Sequence, residues 1–327
     1  GVFSWCEKLT YADLSEIKIT ALPAKTFVAA GTVGDDGKEA AVLETVKLPA
    51  GLVSIGDSAF ENCGLTSIDL SESSVSEIGD SAFASCYYLE SVKLGVVSKL
   101  GKGVFASYSA KSALSTVSFK DGSTALGTYT FDGQSSLSNV VIPDSLASVK
   151  EIGEYVFRNC SRISALPFNP EKVGDGAFDG CSGLRTIDIS GVKEVGARAF
   201  AGCRYINSEL TEVETIGDYA FSNINALTTL RLNNVKTIGK HAFERSGITS
   251  VTFGNNVKSI GDYAFARTKI RGTQNIPGSV TEIGEGVFAA VSGITGFTVG
   301  ANDVYYAEDG MVIKKVSNGL EVLAYAI

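Results

Sequence analysis

The 327-residue sequence holds one histidine, one tryptophan, one methionine and only six prolines. A single histidine excludes mechanisms and metal centres that need several imidazoles. So few prolines exclude a proline-rich linker or a collagen-like chain. The charge count of Lys+Arg 28 against Asp+Glu 36 gives −8, with no basic tract anywhere. That balance argues against a nucleic-acid or anionic-membrane partner. No apolar run is long enough to cross a membrane as a helix, and no leader segment is visible. The chain opens inside a repeat at Gly1-Val2-Phe3 without Met, as a trimmed or mature fragment would. C-x-x-C, G-x-G-x-x-G, Walker and H-E-x-x-H patterns are missing, so no metal or cofactor is expected. Glycine is in excess instead, at 36 residues, beside a hydrophobic fraction of 44% that is ample for a core.

The glycines recur at a fixed spacing. Each stands four positions before a phenylalanine that follows a small residue. The motif reads IGDSAF at Phe60 and Phe83, LGKGVF at Phe105, LGTYTF at Phe131, IGEYVF at Phe157 and VGDGAF at Phe178. It continues as VGARAF at Phe200, IGDYAF at Phe221, IGKHAF at Phe243, IGDYAF at Phe265 and IGEGVF at Phe288. These eleven copies lie 21 to 26 residues apart, and weaker ones end at Phe3 and Phe27. After each Phe comes a second apolar pattern, such as LESVKL, LRTIDI or LTTLRL, whose alternation predicts a short half-buried strand. A unit of this size cannot bury its apolar side alone, whereas stacked units can, each strand pairing in parallel with the next.

Each position then has a role. The aliphatic before the glycine and the Phe point inward as core layers. Gly56 and Gly79 supply either a positive φ or close packing between coils. The Ala or Val before Phe fits a short helical turn, and the acids Asp57, Asp80, Asp175, Asp218 and Asp262 fit the N-terminus of that turn.

Written as [IVL]-G-[DE]-x-[AV]-F-x-x-C-x-x-L-x-x-[IV]-x-[LI], the repeat resembles the BspA-type leucine-rich repeat family over nearly the whole chain. Asn302-Asp-Val-Tyr305, Asp309-Gly310 and Val312 are similar to that family's N-x-x-Y-x-x-x-D-G-x-L closing segment. The resemblance implies an α/β leucine-rich repeat solenoid, right-handed, with a parallel sheet on one face and short helical turns on the other. About 12–13 coils are expected over residues 1–300, and a C-terminal β-hairpin cap over 301–327, turning at Ser317-Asn318-Gly319. It also implies an extracellular or cell-surface protein without catalytic residues, whose partner is a host matrix or cell-surface protein. A spacer that presents another domain is the alternative.

Candidate sites follow from the columns that stacking creates. Cys6, Cys63, Cys86, Cys160, Cys181 and Cys203 all stand three residues after an anchor Phe, so they form one inward column of unbridged thiols. Tyr219, His241 and Tyr263 share the position two before Phe on consecutive coils, which predicts an aromatic stripe for binding or for packing. Lys93, Asp188 and Arg231 stand among the outward positions of the strands and complete the candidate binding set. The structural set is Gly56, Phe60, Gly79, Phe83, Phe157, Phe178, Phe200, Phe221, Phe243, Phe265 and Phe288. Departures from the pattern, at Gly31–Lys38, Ile206–Leu210 and Ile270–Ile276, mark either insertions at a binding face or surface slack.

Overall fold

A computed structural model describes residues 1–6, 8–29, 43–108, 112–124, 126–316 and 319–325. The Gly31–Lys38 insertion and the turn residues Ser317 and Asn318 lie outside the described residues. The chain forms two units, Gly1–Phe168 and Asn169–Ile327.

Each unit is a parallel β-solenoid. In the first, Ser67–Asp69, Ser91–Lys93, Thr116–Ser118 and Asn139–Val141 pair in order, one strand from each coil. A second ladder of two-residue strands joins Ala21–Leu22, Ser54–Ile55, Glu77–Ile78 and Lys99–Leu100. The second unit repeats this ladder from Lys172–Val173 through Glu194–Val195, Thr215–Ile216, Thr237–Ile238 and Ser259–Ile260 to Glu282–Ile283. The alternation read from the sequence holds: Ile68, Val92 and Val117 are buried while Asp69 and Lys93 face solvent.

In each unit the anchor phenylalanines stack along the core. Phe60 lies 5.3 Å from Phe27 and 5.1 Å from Phe83, with rings 12° and 8° from parallel. In the second unit Phe178, Phe200, Phe221, Phe243, Phe265 and Phe288 repeat this at 5.2 to 5.6 Å. These centroid distances fall in the range where offset aromatic pairs attract.

Among the described residues, Asp144–Ala147 is the one α-helix. The segment before each Phe, expected as a short helical turn, is instead a tight turn that hydrogen-bonds to its neighbouring coil. The N–H groups of Ser58, Phe60 and Asn62 donate to the carbonyls of Asp80, Ala82 and Ala84, each at 2.8 Å. Left-handed backbone makes this possible, but not at the repeat glycines. It falls two residues before Phe, at Ser58, Ser81, Tyr129, Tyr155, Arg198, Tyr219, His241 and Tyr263, all with φ between 54° and 59°, and again two residues after Phe, as at Asn62, Ser85, Asn159, Asn223, Arg245 and Arg267. Gly103, Gly176 and Gly286 occupy the earlier of these places in other coils with φ of 63°, 58° and 56°. The repeat glycines serve the other role considered, close packing between coils.

The recurrent acids are explained by the same geometry rather than by a helix terminus. Asp57, Asp80, Asp175, Asp218 and Asp262 each accept a backbone N–H from the following coil, at 2.7 to 2.9 Å. Each therefore caps an amide that the turn leaves unpaired. Asp218→Ala is expected to lower stability by about 1 kcal/mol, and Asp218→Asn by less, because the amide oxygen still accepts. Urea denaturation of the two variants checks this; equal losses would remove the capping role.

The C-terminal cap is a three-stranded antiparallel sheet of Tyr305–Glu308, Met311–Val316 and Gly319–Tyr325. Its first turn is Asp309-Gly310, both with positive φ (49° and 76°), as a two-residue hairpin requires. The closing motif supplies the join. Asn302 donates through Nδ2 to the carbonyls of Gly278 and Val280 and accepts the N–H groups of Val304 and Tyr305. The Tyr305 hydroxyl accepts the N–H of Ile283 at 3.1 Å and donates to the carbonyl of Thr281 at 3.4 Å.

Candidate functional site

The stripe expected at Tyr219, His241 and Tyr263 is formed. The His241 ring stacks on Tyr219 at 4.6 Å and on Tyr263 at 5.2 Å, within 7° and 9° of parallel. His241 Nδ1 also meets Glu244 Oε2 at 2.8 Å. Both faces of the central His241 ring are thus taken by its neighbours. The stripe continues in one direction to Arg198, whose guanidinium lies 5.9 Å from the Tyr219 ring and is held by Asp179 at 2.9 Å. It stops at Gly286, where any Cβ would come 2.6 Å from the Tyr263 ring. A second pair, Tyr129 on Tyr155 at 4.7 Å, is covered by Arg158 and Lys102. Sequence reasoning missed these cations because they come from other positions of neighbouring coils.

The strand side places the other candidates. Lys93 lies directly across from Asp69 in the parallel pair and bonds it at 3.1 Å. Hydrogen bonds from the Ser71 hydroxyl and backbone, with Lys93 beside it, hold Asp69 down to about 2. Its stabilising contribution is therefore present above the ordinary carboxylate range and is lost as pH falls towards that value. Asp188 accepts the Ser190 N–H at 2.9 Å, which lowers its pKa. Arg231 reaches Glu209 at 3.7 Å. Exposed pairs of this kind add little to stability, about 0–1 kcal/mol each. Lys93 belongs to the first unit and Asp188 and Arg231 to the second.

The cysteine column is inward as expected, except that Cys6 in the first coil is only half-buried. The thiols of Cys63, Cys86, Cys160 and Cys203 donate to the carbonyls of Phe27, Phe60, Phe131 and Phe178 at 3.0 to 3.1 Å. Burial pushes the Cys86 thiol up to about 12 and raises that of Cys203 well above its ordinary value, so neither offers a nucleophile at neutral pH. Among the described residues, no three His, Cys, Asp or Glu side chains are grouped to hold a metal ion. No helix of these residues is long and apolar enough to cross a membrane.

One feature of the strand side was visible in the sequence only as a departure. A groove of about 540 Å³ lies between residues 207–211 and 228–233, where Ile206–Leu210 interrupts the repeat.

Coils of this length, built on a Gly-to-Phe turn and a parallel strand, match the family model of the BspA-type leucine-rich repeat region over residues 38–113, 106–212 and 193–308. The chain belongs to the BspA-type leucine-rich repeat family. No curated protein matches it as a relative. Among solved structures, a leucine-rich repeat protein from Bacteroides ovatus superposes with a TM-score of 0.58 at 21% identity, over 83% of this chain and 84% of that one. The pneumococcal vaccine antigen PcpA is similar at 15% identity and a TM-score of 0.51, over 90% of this chain and 73% of that one. A leucine-rich cell surface protein from Faecalibacterium prausnitzii shares 24% identity over 72% of this chain, with a TM-score of 0.38. The BspA-type chain spans about half of that protein's length, 54%. These likenesses concern the fold, and none of them indicates a catalytic family.

Proposed function

We propose that this BspA-type chain is a non-catalytic recognition module, secreted or displayed on a bacterial surface, that binds a protein of a host or neighbouring cell. The observation that carries the reading is the fixed array of outward side chains on the strand side. Parallel pairing sets Ser67 beside Ser91 and Thr116, Asp69 beside Lys93, and Thr229 and Arg231 beside Ser250 and Thr252. Each row is anchored by a buried neighbour, so its polar groups are pre-organised and little side-chain entropy is lost on contact. The Tyr219–His241–Tyr263 stripe is the alternative contact surface, since tyrosine combines apolar area with a hydroxyl.

Immobilised matrix and mucosal proteins are the direct test, with the whole chain as analyte. Saturable binding is expected, with Lys93→Ala or Arg231→Ala weakening it at least fivefold, about 1 kcal/mol. Binding that survives those changes but falls on Tyr219→Ala with Tyr263→Ala would move the contact to the stripe. No saturable binding to any of these proteins would leave a spacer role.

A further inference from the structure

The groove has a cause in the sequence. Among coils that, like the Phe200 coil with Ile206, carry an apolar residue six after the anchor Phe, the ninth place holds Val92, Leu166, Ile187 and Leu230, all buried. The same position after Phe200 is Glu209, which is exposed. A carboxylate cannot take an unpaired place in the core. The backbone leaves the strand path here, and Leu210, one residue later, is buried instead.

That detour opens a β edge inside the stack. The strand Thr229–Leu232 pairs only with Ser250–Phe253. On that side the Thr228 carbonyl accepts from Thr249 at 2.8 Å and the Leu232 carbonyl from Gly254 at 3.1 Å. Strand alternation then turns the N–H and C=O groups of Thr229 and Arg231 towards residues 207–211, and no backbone hydrogen bond joins them there. The first unit shows what an intact face looks like, with Glu90 donating to Thr66 and Ser115 to Glu90 across successive coils.

We propose that this edge receives an extended peptide segment, which adds as a strand to Thr229–Leu232. The occupant is read from the groove itself. Its unpaired backbone groups repeat every second residue, about 6.6 Å apart, a period that only another extended backbone matches. Its walls are mixed, with Asn207, Ser208, Thr228 and Asn233 beside Leu210 and Leu230, and no aromatic ring lines it for a sugar to stack on. Glu209 and Arg231 face each other at 3.7 Å, so the walls carry no net charge, which favours a segment of small polar residues with one acid able to take Arg231 from Glu209. The volume, about 540 Å³, is that of a specific cleft. The inference deepens the recognition reading and rests on it for the class of partner.

The experiment uses a phage-displayed library of random linear peptides selected on the whole chain, with the enriched peptides synthesised and titrated by fluorescence anisotropy. Thr229→Pro removes a donor that faces the groove without touching the pairing to Ser250–Phe253. The double variant Glu209→Leu with Leu210→Thr restores the repeat and closes the edge. Both variants should weaken the enriched peptides at least tenfold, while slow amide exchange at Leu230 and Leu232 shows that the strand pair is intact. Failure to enrich any peptide, or unchanged affinity for either variant, overturns the proposal. Peptide binding at this edge without binding to any immobilised protein would keep the groove and sink the adhesion reading. Protein binding that both variants leave unchanged would do the reverse.

Discussion

Phe221→Ala lowers the stability of the chain by about 3–5 kcal/mol, the range for emptying a large aromatic site in a core. The side chain is only 1% exposed, and its ring is stacked on both faces, 5.4 Å from Phe200 and 5.5 Å from Phe243. Alanine leaves a cavity that the flanking rings cannot fill, because each is fixed by a further neighbour and by turn hydrogen bonds on both sides. Phe221 donates its N–H to Ala242 and Phe200 donates to Ala220, both at 2.8 Å, so the backbone spacing is set independently of the ring. The same change at Phe3 is the comparison. That ring is 36% exposed and stacks on one neighbour, Phe27 at 5.2 Å, so its loss costs far less. Urea denaturation of the two variants measures the difference. Comparable losses below about 1 kcal/mol would mean that the stack is spectator packing around a core held elsewhere.

The Phe and Gly columns were legible because each is a chemical identity repeated at one spacing. The left-handed turn was not. Before Phe it falls on Ser58, Tyr155, Arg198 and His241, residues with no shared chemistry, and glycine marks that place only at Gly103, Gly176 and Gly286. The recurrent aspartates were equally visible, yet their partner is an amide 22 or 23 residues away in the next coil, which no local rule supplies. The closing Asn302 and Tyr305 were visible as a motif, but their bonds to Gly278, Val280 and Ile283 appear only once the cap is placed. For the candidate site the division is sharper. Stacking at Tyr219, His241 and Tyr263 follows from shared position alone. The groove follows from Glu209 occupying an apolar column, a signal that was present in the sequence but read only as broken alternation. What the detour leaves behind, an unpaired edge on the following coil, depends on backbone direction, to which composition is blind.

Gly239→Ala is expected to cost about 3 kcal/mol, the upper part of the usual range for overpacking. The backbone conformation is not the reason, since φ at Gly239 lies outside the left-handed region and an L-residue is allowed there. Taken alone, the loss of unfolded-state freedom would make the change stabilising by about 0.4–1 kcal/mol. Contact decides the sign. An added Cβ would lie 2.5 Å from the backbone carbon of Gly217 and 2.6 Å from both the nitrogen and Oδ1 of Asp218. Two of these are main-chain atoms of the preceding coil, which cannot rotate away, so the coils must part. Parting them stretches the bond from the Lys240 N–H to Asp218 Oδ1, now 2.7 Å, and the one from the Gly239 N–H to Ile216, now 2.8 Å. Gly51→Ala isolates the entropic part, because nothing lies within 4 Å of its Cβ position. That variant is expected to be neutral or slightly more stable. Melting and urea titration of both decide the matter: a Gly239 variant within about 0.5 kcal/mol of the Gly51 variant would show that the glycine column does not set the coil spacing.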